Sequence, residues 1–135
     1  MSDPSWGMQH DAQVLDNGNF LFFANGQITA SFPHSRVIEL NPESREIVWH
    51  YAGSPPLSFF SPHISGAQRL SSGNTLICEG AWGRLFEVTS EGEIVWEYIS
   101  PHEIEYPHGD KLNWVFRTHR YAEDSPQIAK RASLI

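Results

Sequence analysis

The side chains able to do chemistry in this 135-residue chain are mostly histidines, seven in all, with a few arginines nearby. Neutral imidazole is a nitrogen nucleophile near pH 7, and arginine or histidine can hold an anion. His10 opens the strand-like run Gln9-His10-Asp-Ala-Gln-Val14. His63 follows Pro62 just before a second such run, and His34 closes a long loop that begins near Gln27. Arg117 and His119 sit in Phe116-Arg-Thr-His-Arg-Tyr121, where strand alternation lets either Arg117 with His119 or Thr118 with Arg120 face one side.

Two further groupings carry less. His102 and His108, with Glu103, Glu105 and Asp110 around them, have a spacing that could reach a metal. No strand or helix fixes that Pro-containing loop, so no metal site is expected, and no cofactor either. The lone Cys78 ends the apolar run Thr75-Leu-Ile-Cys78, which excludes an internal disulfide and a CxxC pair and reads as a buried, inert thiol.

What must position these groups is a repeat. Ala12-Gln-Val-Leu-Asp-Asn-Gly-Asn-Phe-Leu-Phe22 matches Ala67-Gln-Arg-Leu-Ser-Ser-Gly-Asn-Thr-Leu-Ile77 at an offset of 55. Ser35 to Tyr51 matches Gly83 to Tyr98 at an offset of 47 to 48. Each unit holds four strand-like runs, at about 10–15, 19–24, 36–41 and 46–51, then at 65–70, 74–79, 84–89 and 93–98. Asn17-Gly18, Ser72-Gly73 and Glu91-Gly92 supply the tight turns, because glycine accepts positive φ cheaply.

Four antiparallel strands per 45–50 residues is the arithmetic of a β-propeller blade. The fold expected is all-β and a partial propeller. Repeat 1 covers about 9–53, repeat 2 about 64–99, a connecting loop 100–113, and an inner strand of a third blade with a tail 114–135. Phe116 to Tyr121 lies 51 residues after Ser65 to Leu70 and is the expected third inner strand. Positions that recur in both units, Arg36 with Arg84, Glu39 with Glu87, Trp49 with Trp96 and Tyr51 with Tyr98, read as blade structure rather than chemistry. His10 does not recur, since Ser65 takes its place in the second unit.

Two blades leave two apolar faces bare, and such faces are expected to be covered from outside the chain. Copies of the chain are the simplest source, a homo-oligomer in which three copies give six blades; a separate chain supplying the missing blades is the other. The net charge of −7, without a basic run, excludes a phosphate-tracking nucleic-acid surface. No stretch reaches the ~20 apolar residues of a membrane helix. Met1 to Trp6 lacks the regions of a signal peptide, so a cytoplasmic location is expected.

Gln9 to Asn19, Ser35 to Leu40, Ile47 to Tyr51, Gly66 to Leu70 and Asn74 to Gly80 together resemble the C-terminal blades of the arylsulfotransferase family, whose full members are six-bladed propellers. Asn113 to Tyr121 is similar to that family's closing segment. The resemblance implies sulfuryl transfer from one phenol to another through a sulfated histidine, with His10 as the nucleophile and a phenolic or sulfate-ester small molecule as substrate. His34, His63, Arg117 and His119 are the candidate ligand contacts. Relatives in the family are typically periplasmic or exported. A channel that binds a small anionic or aromatic ligand without chemistry, or a pure assembly scaffold, are the other functions compatible with the sequence.

Overall fold

A computed structural model describes residues 6–28 and 31–128. The chain forms β1 (Gln9–Val14), β2 (Phe20–Ala24), β3 (Arg36–Leu40) and β4 (Ile47–Ala52), paired antiparallel in the order β1-β2-β3-β4. It then repeats the pattern with β5 (Gly66–Arg69), β6 (Thr75–Glu79), β7 (Arg84–Val88) and β8 (Ile94–Ile99), in the order β5-β6-β7-β8. The turns fall on the glycines singled out above. Gly18, Gly73 and Gly92 have φ of +85°, +90° and +87°, a region that a side chain at Cβ makes costly. A bulge recurs at the same place in both units, at Glu39/Leu40 and at Glu87/Val88.

The two sheets meet face to face. Leu21, Phe23, Val37 and Tyr51 of the first pack on Ala67, Ile77, Phe86 and Val88 of the second, all buried. Phe59, from the linker between the sheets, fills the centre of this joint. Its ring lies 5.4, 5.3 and 5.6 Å from those of Phe23, Tyr51 and Phe86, mostly edge to face. Such geometry contributes about 0.5–1.5 kcal/mol per aromatic pair beyond area burial.

One motif locks the joint and then repeats. Glu39 is buried and accepts from Asn19 at 2.7 Å and from Arg69 of the second sheet at 2.8 Å, while Arg69 stacks 4.7 Å above Trp49. In the second sheet Glu87 accepts from Asn74 at 2.7 Å and from Arg120, and Arg120 lies 5.0 Å above Trp96. The C-terminal segment thus brings Arg120 to the second sheet as that sheet brings Arg69 to the first. The offset between these arginines is the 51 residues seen in the sequence.

Two features differ from expectation. Residues 113–122 contain no ladder strand, although they run along the second sheet: Phe116 accepts from the Ser65 amide at 3.1 Å, and the Val115 amide donates to Gly80 at 2.9 Å. A strand is defined by its ladder, and among the described residues nothing pairs with the far edge of this segment. The connecting loop 100–113, read as structureless, holds a short hairpin of β9 (Ile104–Glu105) and β10 (Lys111–Leu112). Its turn at Tyr106 to Asp110 uses Gly109 at φ +86°, a local signal that the Pro and His residues there obscured.

The outer side of the second sheet remains open. Every residue of β8 is exposed, and Trp96 and Tyr98 stack parallel there with ring centres 6.3 Å apart. No helix among the described residues is long and apolar enough to cross a membrane.

Candidate functional site

His10 is aimed by a distortion of β1. The ladder pairs His10 with Phe23 and resumes at Gln13 with Leu21, so Asp11 and Ala12 oppose Phe22 alone. Asp11 absorbs this bulge at φ +55°, a left-handed conformation that aspartate tolerates better than most residues. Its carboxylate then fits against Gly66 of the neighbouring inner strand, where a Cβ would collide with it.

The imidazole Nδ1 lies 2.6 Å from Oδ1 of Asn25, which follows β2 and is fully buried. A cleft of about 440 Å³ opens in front of the ring, lined by His10, Asp11, Ser65, Phe116 and Arg117. Arg117 reaches in from the C-terminal segment and pairs with Asp11 Oδ1 at 3.1 Å, while Asp11 Oδ2 is buried without a hydrogen-bond partner. The cleft therefore offers an imidazole, a guanidinium and an aromatic ring: a nucleophile, an anion holder and a face for a planar ring.

Beneath it lies a buried hydroxyl network between the two sheets. Ser35 Oγ donates to the Asn25 carbonyl at 3.0 Å, and the Ser61 amide donates to Ser35 Oγ at 2.9 Å. Ser65 Oγ donates to Ser61 Oγ at 2.8 Å, and the Gly80 amide donates to Ser65 Oγ at 2.9 Å. Ile64 and Ser65 accept φ of +50° and +89° to make these contacts, and for a β-branched residue such as Ile64 that is strained backbone.

The other candidates scatter. His34 hydrogen-bonds the Phe32 carbonyl through Nδ1 at 2.9 Å, in a loop whose residues 29 and 30 lie outside the described residues. The His63 ring lies across that of Trp114 with centres 4.6 Å apart, and its Nε2 is buried and unpartnered. His119 is exposed and lines a separate cleft of about 540 Å³ with Gln13, Leu15, Glu39 and Arg69. Of the five, His10 and Arg117 share a cavity. Asn25, Ser35 and Ser61 were missed by sequence reasoning. The available signal was polar residues bordering apolar runs with no repeat counterpart: Asn25 aligns with Gly80 in the 55-residue offset.

A second polar cluster sits at the outer part of the joint. Glu79 accepts from the Phe60 amide at 2.8 Å and from Arg84 at 3.0 Å, and Arg84 also reaches Glu97 at 2.5 Å. Burial pushes the Glu79 carboxyl up and the Tyr51 phenol beside it up as well. These contacts clamp the linker to the second sheet, and a cleft of about 360 Å³ lined by Tyr51, Ser58 and Arg84 opens beside them. Among the described residues no three His, Cys, Asp or Glu side chains converge as a metal site would need.

Residues 1–101 match the family described as Arylsulfotransferase (ASST), a span that includes His10 and both sheets but not Phe116 or Arg117. No curated protein matches the chain. Among solved structures, a crystal structure of a protein of unknown function from Bacteroides caccae superposes with a TM-score of 0.53 at 18% identity, over 82% of this chain and 39% of that one. That likeness carries the all-β fold. This chain spans about two fifths of the length of that protein.

Proposed function

Because the chain belongs to the arylsulfotransferase family, matched over residues 1–101, we propose that it supplies the nucleophilic histidine of a sulfuryl-transfer centre acting on aryl sulfates and phenols. In the first half-reaction the His10 Nε2 lone pair attacks sulfur. The N–S bond forms, the S–O bond to the aryl group breaks, and the phenolate leaves with that electron pair and takes up a proton. In the second, an acceptor phenol passes its proton to the group that protonated the first phenolate as its oxygen attacks sulfur, and the N–S electrons return to His10. Arg117 balances the charge that builds on the sulfuryl oxygens, and Phe116 offers a face to the phenol. The observation that carries this reading is that His10 shares its cleft with Arg117 and Phe116.

The two sheets are read as two blades of a propeller whose inner strands, β1 and β5, border a central channel. Blades from outside the chain close the ring. Three copies of the chain give six blades, and a separate chain carrying the remainder does the same. A helper acid for the leaving phenolate comes from those added blades.

The test is release of nitrophenol from p-nitrophenyl sulfate with phenol as acceptor, beside a His10→Ala control. Trapping the first half-reaction should leave an adduct of about 80 Da, the mass of a sulfuryl group, on His10. No release above the control ends this reading. The ion pair between Arg117 and Asp11 favours a second one, since it partly neutralises the guanidinium. In that case the cleft holds a small anionic or aromatic ligand without chemistry, or serves assembly alone; an aryl sulfate that binds without turnover would point to the former.

A further inference from the structure

We infer that Asn25 is the positioning residue of this site, holding His10 in the tautomer with hydrogen on Nδ1 so that the Nε2 lone pair faces the cleft. This rests on the reading of His10 as nucleophile for its catalytic meaning, but the tautomer itself follows from hydrogen-bond accounting. The Asn25 amide nitrogen has two hydrogens and two acceptors, the Ser61 carbonyl at 2.8 Å and the Ile64 carbonyl at 3.0 Å. Backbone carbonyls can only accept, so the nitrogen end of the amide must point at them. Oδ1 is then left toward His10 Nδ1 at 2.6 Å, and Oδ1 can only accept. Nδ1 must carry the hydrogen. The opposite tautomer would set two lone pairs against each other at that distance, with the Asn25 side chain fully buried.

The arrangement suits both halves of the reaction. When Nε2 bonds to sulfur the ring becomes cationic and still donates Nδ1–H to Asn25; when sulfur leaves, the same bond remains. Asn25 touches neither sulfur nor phenol. Its carbonyl accepts from Ser35, and Ser61 binds Ser35 in turn, so the aim of His10 is set by the joint between the sheets.

The tautomer is read directly from long-range proton–nitrogen NMR of the 15N-histidine-labelled full chain, with His10→Gln to assign the signals. Hydrogen on Nδ1 of His10 above its protonation range is expected. Hydrogen on Nε2, or an even mixture, overturns the inference without any variant. Asn25→Leu removes the acceptor at nearly constant volume and should mix the tautomers and slow adduct formation on His10 by about 10–100-fold. Unchanged tautomer in a folded Asn25→Leu chain would also overturn it; if that variant does not fold, the wild-type spectrum decides. A correct tautomer with no sulfuryl adduct on wild-type His10 removes the proposed function and leaves this inference standing.

Discussion

Arg120 pairs with Glu87 over the ring of Trp96, on the side of the second sheet that faces away from the first. Glu39, Arg69 and Trp49 make the same arrangement inside the joint between the sheets. The C-terminal segment therefore sits in the register of a third repeat even though it lacks a strand ladder. Arg120→Ala should loosen it. The expected cost is local and small, about 0.2–1 kcal/mol for a half-exposed pair, and is measured as faster hydrogen exchange at Val115 and Ser65 with a red-shifted Trp114 emission.

Acid should release the same segment. The Asn74 hydrogen bond, followed by Arg120, holds the Glu87 carboxyl below its usual range. A depressed carboxylate contributes its full stabilisation above the unfolded value of about 4.3 and loses it as pH falls through the lower folded value. Urea midpoints should therefore drop in that acid window, and Glu87→Gln should flatten that part of the pH profile. An unchanged profile would assign the acid sensitivity to other carboxyls.

Phe59→Ala should be far more damaging than either change. Its ring fills the centre of the joint and has no route for collapse between two hydrogen-bonded sheets. A loss of about 3–5 kcal/mol is expected in urea unfolding.

Much of this fold could be read from residues 12–22 and 67–77, since a Gly-Asn turn repeated at a fixed offset makes like hairpins. The strands lie within a residue or two of their expected ranges because Gly18, Gly73 and Gly92 punctuate them. The recurring Glu39 and Glu87 stood out as frame positions; that each takes an arginine from the next unit did not, because the partners lie 30 and 33 residues downstream. His10 stood out for having no counterpart. Asn25 did not, since its meaning depends on three partners, His10, Ser61 and Ile64, that only folding brings together.

Cys78 offers a simple check on the second sheet. Burial pushes its thiol up to about 12, and its sulfur lies 3.4 Å from the Val115 carbonyl. An aromatic disulfide reagent at pH 8 should titrate no thiol in the native protein and one after unfolding. Rapid native labelling would mean that the C-terminal segment does not cover it.

The open side of β8 carries the assembly prediction. Trp96 and Tyr98 are about 40% exposed, an aromatic patch that sedimentation should reveal as association at micromolar concentration. Trp96→Lys with Tyr98→Lys should shift the distribution toward the monomer while leaving the circular dichroism of the sheets intact. A wild-type chain that stays monomeric would sink the prediction.

Repeat proteins are commonly thought of as strings of exchangeable modules, gained and lost one at a time. The serine-lined seam argues that these two units travel as a pair. Ser35 comes from one, Ser65 from the other and Ser61 from between them, and Asn25 depends on all this for its grip. Recombination that exchanged the second unit together with its linker would take Ser61 and Ile64 away from Asn25, so the aim of this imidazole is tied to a boundary rather than to a module.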